Sequence, residues 1–176
     1  MSKTNGHFFE PIKGVGWERR DTLGKTTYGD TPTKRPHPHL GEDWGFRPSS
    51  ENKEIWAIHG GVVTKVYDNE ALGWTAVIRN ECDNSCGYNG FEIEYNHMIR
   101  KPALKVGQVL RGGGELVGNI GATGSALSAS GANHLHASMG DNADPHSLPL
   151  AKKVALFPLI DDSKAHRKAI KDALVK

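Results

Sequence analysis

A chain of 176 residues with 37% hydrophobic side chains is long enough to enclose one core, and its net charge of +2 is too small to single out nucleic acid as a partner. No apolar run approaches the roughly 18 residues needed to cross a bilayer. The start, Met1-Ser2-Lys3-Thr4-Asn5-Gly6-His7, lacks the continuous apolar stretch of a secretory signal, which predicts synthesis in the cytoplasm and another route to any target outside it.

In chain order, residues 1 to about 36 carry Gly, Pro and charge without periodicity and are expected to be loops with one or two short strands. Pro38 and Gly41 disfavour a helix in the next stretch, so His39 and Asp43 are placed on an extended or turning segment, followed by a polar loop over 46–54. Ile55–Ile58, Val62–Tyr67 and Trp74–Ile78 have the β-branched and aromatic content of strands. In the strand predicted over Phe91–His97, alternation puts Phe91, Ile93, Tyr95 and His97 on one apolar face and Glu92, Glu94 and Asn96 on the other. Taken alone, His97 then reads as a hydrogen-bonded core histidine.

Between these strands Cys82-Asp83-Asn84-Ser85-Cys86 admits a small disulfide across a loop or two thiols; a zinc knuckle would need two more ligands in reach. The stretch 105–124 is dense in glycine and predicts short strands joined by tight turns, since no Gly-x-x-x-x-Gly-Lys-Ser/Thr pattern or following helix marks a phosphate loop. A small-residue loop, 125–132, leads to Asn133-His134-Leu135-His136-Ala137. If extended, its two histidines share a face about 6.6 Å apart along the strand, a spacing that lets one hold a metal while the other handles a proton. Finally, Ala165, Ala169 and Ala173 with Ile170 and Leu174 predict an amphipathic helix over Asp162–Val175. Its lysines are a solvated face or, as a weaker alternative, a contact with an anionic envelope surface.

A hydrolytic zinc site takes three protein ligands and leaves a position for water. His39 and Asp43, in His-x-Gly-x-Asp, with one histidine of the 134/136 pair supply such a set. Singly, each has an ordinary reading: a surface histidine, a turn cap, a coincidence. Their joint occurrence with Tyr95-Asn96-His97 is harder to dismiss. His37 is a rival to His39 without the His-x-Gly-x-Asp spacing; His59 reads as a turn or groove-wall residue, His7, His146 and His166 as exposed, and Trp44 as core or groove.

The succession His-x-Gly-x-Asp, Tyr-x-His, Gly118-Asn119-Ile120-Gly121-Ala122-Thr123-Gly124 and His-Leu-His resembles the M23 family of zinc metallopeptidases, the LytM and lysostaphin-type endopeptidases that cut peptide bonds in bacterial peptidoglycan. The resemblance runs from about His39 to Ser138, with Ala57–Val66 similar to a strand pair of the family. It implies a mainly β fold of antiparallel sheets forming a substrate groove, with a C-terminal helix. The expected organisation is a single domain over 1–176, with a motif-bearing core of about 36–150 and a helical extension over 151–176. It further implies one Zn²⁺ ion held by His39, Asp43 and His136, and His97 and His134 as unligated catalytic histidines. Tyr28 is a candidate for an oxyanion-steadying groove tyrosine. The implied partners are peptidoglycan stem and cross-link peptides, the implied state a monomer, and the implied place of action the cell wall, with a phage endolysin as one context. Ala137-Ser138 departs from the family's usual Phe-Glu, and segments 45–54 and 81–90 are longer than its minimal loops, which bears on substrate preference more than on chemistry. The alternatives are a D-Ala-D-Ala-type zinc carboxypeptidase, disfavoured because no acidic residue lies between Glu115 and His134, a non-catalytic binding or activator relative, and a phage tail component.

Overall fold

The structure is a computed structural model and describes residues 6–28, 31–82, 87–128, 133–141, 145 and 148–174. The strands are β1 (Trp17–Arg19), β2 (Glu42–Phe46), β3 (Glu54–Trp56), β4 (Gly61–Tyr67), β5 (Trp74–Asn80), β6 (Glu92–Met98), β7 (Val109–Leu110), β8 (Leu116–Asn119), β9 (Leu135–Gly140) and β10 (Lys153–Val154), followed by helix α1 (Leu156–Leu174). Among the described residues eight strands form one antiparallel sheet in the order β1-β2-β9-β6-β5-β4-β7, with β10 beside β9, while β3 and β8 form a separate pair. The expected mainly β architecture with a C-terminal helix is what the chain adopts.

Register assigns the two faces of this sheet. Ile78, Ile93 and Met139 stand opposite one another across β5, β6 and β9, all buried, and belong to the core. Three residues along, Asp43, His136 and Asn96 are opposed across β2, β9 and β6 and share the other face. The whole of β6 is buried, so Glu92, Glu94 and Asn96 lie beneath further chain and not at the solvent boundary usual for the polar side of an antiparallel strand. Trp44, on the core face, packs edge-on against Phe157 with ring centroids 4.9 Å apart, which resolves its two readings in favour of the core.

Helix α1 begins six residues earlier than its alanine spacing predicts. Its packed face is Leu156, Phe157, Ile160 and Ser163, whereas Ile170 and Leu174 are exposed, so the predicted alanine stripe is not the packing surface. Pro158 does not prevent this start, because the first turn has no N–H partners to lose. What anchors it is Glu42, whose Oε2 accepts the backbone N–H groups of Leu156 (2.5 Å) and Phe157 (2.9 Å). A short 3-10 helix, Gly124–Ser128, also replaces part of the expected loop.

Burial pushes the Glu42 carboxyl up to about 7, against the helix N–H groups that favour the anion. A carboxyl raised in the folded state adds stability below its ordinary value of 4.5 and loses it as pH rises through about 7. The metal-free protein is therefore expected to lose stability relative to Glu42→Gln between about pH 5 and about pH 8. Urea unfolding of both proteins across that range checks it, and a constant difference would contradict it.

Candidate metal centre

Two neighbouring strands and one loop supply three converging donors. Asp43 on β2 and His136 on β9 are register partners, with His136 Nδ1 2.8 Å from Asp43 Oδ1. His39 arrives from the loop before β2, pinned by backbone bonds from His39 N to Lys25 O (2.9 Å) and from Gly24 N to His39 O (2.8 Å). Its Nδ1–H donates to Thr22 O at 3.1 Å, which fixes the tautomer and turns Nε2 toward the other two donors. That Nε2 lies 3.1 Å from His136 Nδ1 and 3.2 Å from Asp43 Oδ1. Donors of a tetrahedral zinc with bonds of about 2.0–2.1 Å stand about 3.3–3.4 Å apart, so this triangle needs only a few tenths of an ångström of expansion to accept one. Two imidazole nitrogens and a carboxylate oxygen, all buried, are a fitting donor set for such an ion.

The glycine of His39-Leu40-Gly41-Glu42-Asp43 has a steric reason. A Cβ on Gly41 would stand 2.5 Å from both His136 Nε2 and the Ala137 carbonyl oxygen, so the His136 ring can lie where it does only over a residue without a side chain.

His97 departs from the face its alternation predicts. The β5–β6 register shifts between Trp74 and Ala76, so Thr75 faces both Asn96 and His97, and His97 has φ of 62°. This β-bulge turns His97 from the side of Tyr95 to the side of the donor triangle, where its ring centroid is 5.0 Å from that of His134 and 5.9 Å from that of His136. Tyr95 stays in the core and its hydroxyl accepts the Ile58 N–H. The His97 Nδ1–H donates to Thr123 O at 2.9 Å, leaving Nε2 as the lone-pair nitrogen. His134 stands just before β9, its N–H bonded to Gly121 O at 3.2 Å and its Nε2 3.9 Å from Asp43 Oδ1. The glycine-rich stretch thus supplies backbone supports for both histidines.

The electrostatics follow from burial. Desolvation lowers His97 to about 3, with His134 and His136 adding to the effect, so its imidazole is neutral near pH 7. His136 is lowered to about 4, again chiefly by burial and against the pull of Asp43. Burial would raise Asp43, but the nearby His134, His136 and His39 outweigh it and hold the carboxyl well below its usual range. A neutral imidazole at His136 and a carboxylate at Asp43 are the protonation states a divalent cation requires.

The five motif residues therefore come together. Among the described residues, the other histidines do not join the metal-binding cluster. His37 is exposed, and its Nδ1 contacts its own neighbour's carbonyl, Pro38 O. His59 is fully buried against Phe8, not a groove-wall residue, because its ring fills the core beside Gly60. His7 is half-buried through its contact with His166, which is exposed; His146 lies outside the described residues. The Tyr28 ring lies under the Arg35 guanidinium, 4.4 Å away, on the hairpin bridged by Thr27 and Lys34 that ends at His39. Cys82 is disulfide-bonded; the chain's other cysteine, Cys86, lies outside the described residues. Sequence reasoning missed the carbonyls of Thr22 and Thr123, because a backbone oxygen leaves no residue-type signal.

No protein-family model matches the chain. Among solved structures, the catalytic domain of the antimicrobial peptidase lysostaphin from Staphylococcus simulans is 20% identical, with a TM-score of 0.60 over 82% of this chain and 92% of that one. A zinc-containing peptidase from Vibrio cholerae is 19% identical, with a TM-score of 0.58; the match covers 88% of this chain but only 39% of that longer chain. A chain of the SpoIIQ–SpoIIIAH pore-forming complex is 13% identical, with a TM-score of 0.63 over 90% of this chain and 92% of that one. At these identities the likeness is one of fold, shared by peptidases and by a chain of a pore-forming complex.

Proposed function

We propose that this chain is a zinc-dependent endopeptidase that hydrolyses peptide bonds of bacterial peptidoglycan. The observation that carries the reading is the closed triangle of His39 Nε2, Asp43 Oδ1 and His136 Nδ1, with edges of 2.8–3.2 Å and the tilted rings of His97 and His134 beside it. A zinc ion held by those three residues supplies Lewis acidity, polarising the scissile carbonyl and lowering the pKa of water toward ~7. His97 accepts the proton of the attacking water at Nε2, since its Nδ1–H is committed to Thr123 O. His134, beside His97 and Asp43, offers an N–H to the developing oxyanion, and the proton that His97 takes from the water goes on to the leaving amine as the peptide bond breaks. Burial of the triangle keeps bulk water from competing with these hydrogen bonds.

The substrate class rests on the motif pattern and on the fold shared with lysostaphin. We place the chain's action at the cell wall, as one domain working as a monomer, with a phage endolysin as one context. Mass spectrometry of purified peptidoglycan of known chemotypes after digestion tests the reading. New stem-peptide or bridge termini that vanish with chelator and return with zinc are expected. Release of terminal D-alanine alone would point instead to a carboxypeptidase.

The likeness to the SpoIIQ–SpoIIIAH complex favours a second reading, a binding relative with no turnover. Against it, all five positions of the peptidase pattern are filled and convergent. Undigested peptidoglycan retained by the zinc-loaded protein would decide for the second reading.

A further inference from the structure

The β2–β9 ladder stops at Trp44 and Leu135, one residue short of His134. Continued in register, Gly45 would face His134 and Phe46 would face Asn133, but no ladder bonds join them there. The Arg20 guanidinium occupies this break: Nη2 donates to Phe46 O at 3.0 Å and to Ser50 Oγ at 3.4 Å, and Nη1 donates to Asn133 O at 3.2 Å. Its Nε is held by Glu18 Oε1 at 3.3 Å. The backbone of Arg20 is fixed to the same strand, its N–H donating to Asp43 O at 2.8 Å. Gly45 makes room for it, since a Cβ there would run into the guanidinium carbon of Arg20.

We propose that Arg20 is a positioning residue for His134: its guanidinium splices the strand carrying Asp43 to the residue preceding His134, and so holds the unligated imidazole beside His97. The planar fork suits this task because it reaches carbonyls on two separated strands at once, which an ammonium does not. His39, Asp43 and His136 are joined by ladder bonds and loop contacts that do not pass through this side chain, so metal binding and His134 placement separate. The inference rests on the function proposed above for its kinetic readout but not for its structural one.

The test is Arg20→Met, with Arg20→Lys as a milder variant and Gly45→Ala as an independent way of displacing the guanidinium. Crystal structures of the zinc-loaded proteins are expected to show His39, Asp43 and His136 in place and the His134 ring moved away from His97. On a substrate peptide, kcat should fall about tenfold or more with KM nearly unchanged, and added guanidinium should restore part of the activity of Arg20→Met. If wild type cleaves nothing, the functional reading fails, while the position of His134 still decides this one. An unmoved His134 ring in Arg20→Met, or zinc lost in parallel with turnover in both Arg20→Met and Arg20→Lys, would overturn it.

Discussion

Replacing His39 or Asp43 with alanine is expected to abolish zinc binding and turnover together, whereas replacing His97 or His134 is expected to leave zinc bound and reduce turnover by about 10²–10⁴-fold. The split follows from where the side chains point. His39 Nε2 and Asp43 Oδ1 form two corners of the donor triangle, and loss of either leaves two donors where a hydrolytic zinc site takes three. His97 contributes no atom to that triangle: its Nδ1–H is spent on Thr123 O and its ring stands 5.9 Å, centroid to centroid, from His136. His134 reaches Asp43 only at 3.9 Å. Equilibrium dialysis with zinc and a peptide-cleavage assay on the same four variants separate the groups. Zinc loss in His97→Ala or His134→Ala, or full activity in either, would contradict the assignment.

Gly41→Ala is expected to lower zinc affinity by about 10–100-fold or more, although the residue contributes no ligand atom. The added methyl would meet His136 Nε2 and the Ala137 carbonyl at 2.5 Å, closer than Cβ contacts occur, and both belong to the strand carrying the ligand. The Ala137 carbonyl cannot yield cheaply, because Ala137 is paired with Glu42 on one side and Tyr95 on the other. The His136 ring must therefore rotate, which takes Nδ1 out of the triangle. Gly114→Ala is the control, since its Cβ would meet nothing closer than Arg111 Cβ at 3.5 Å, an ordinary contact, and zinc affinity should not change. Equal losses in the two variants would show that the effect is a general one of added bulk.

Much of this site is legible in the sequence because its parts are side-chain types at fixed spacing. The fourfold step from His39 to Asp43 and the twofold step from His134 to His136 survive folding, since the first belongs to a turn entering β2 and the second to the entry of β9. The strand assignments over 62–67, 74–78 and 91–97 hold because β-branched and aromatic content marks strands, although alternation in the last does not report burial: Glu94 and Asn96 are as buried as Ile93 and Tyr95. What stays hidden depends on partners far away in the chain. The side on which His97 emerges is set by a bulge that alternation cannot anticipate, opposite Thr75 on another strand. Helix α1 starts at Leu156 because of a carboxylate 114 residues earlier, whereas its own alanine spacing points to its exposed half. Arg20, one of several charges in an aperiodic stretch, gains meaning only once the ends of β2 and β9 are seen to part beneath it.

The most direct measurement is a crystallographic anomalous-difference map recorded at the zinc absorption edge from protein grown with zinc. One peak per chain is expected, about 2.0–2.2 Å from His39 Nε2, Asp43 Oδ1 and His136 Nδ1, with His97 and His134 outside bonding distance. A map with no peak among these residues, or with a peak bonded to His97 or His134 in place of one of the three, would contradict the account.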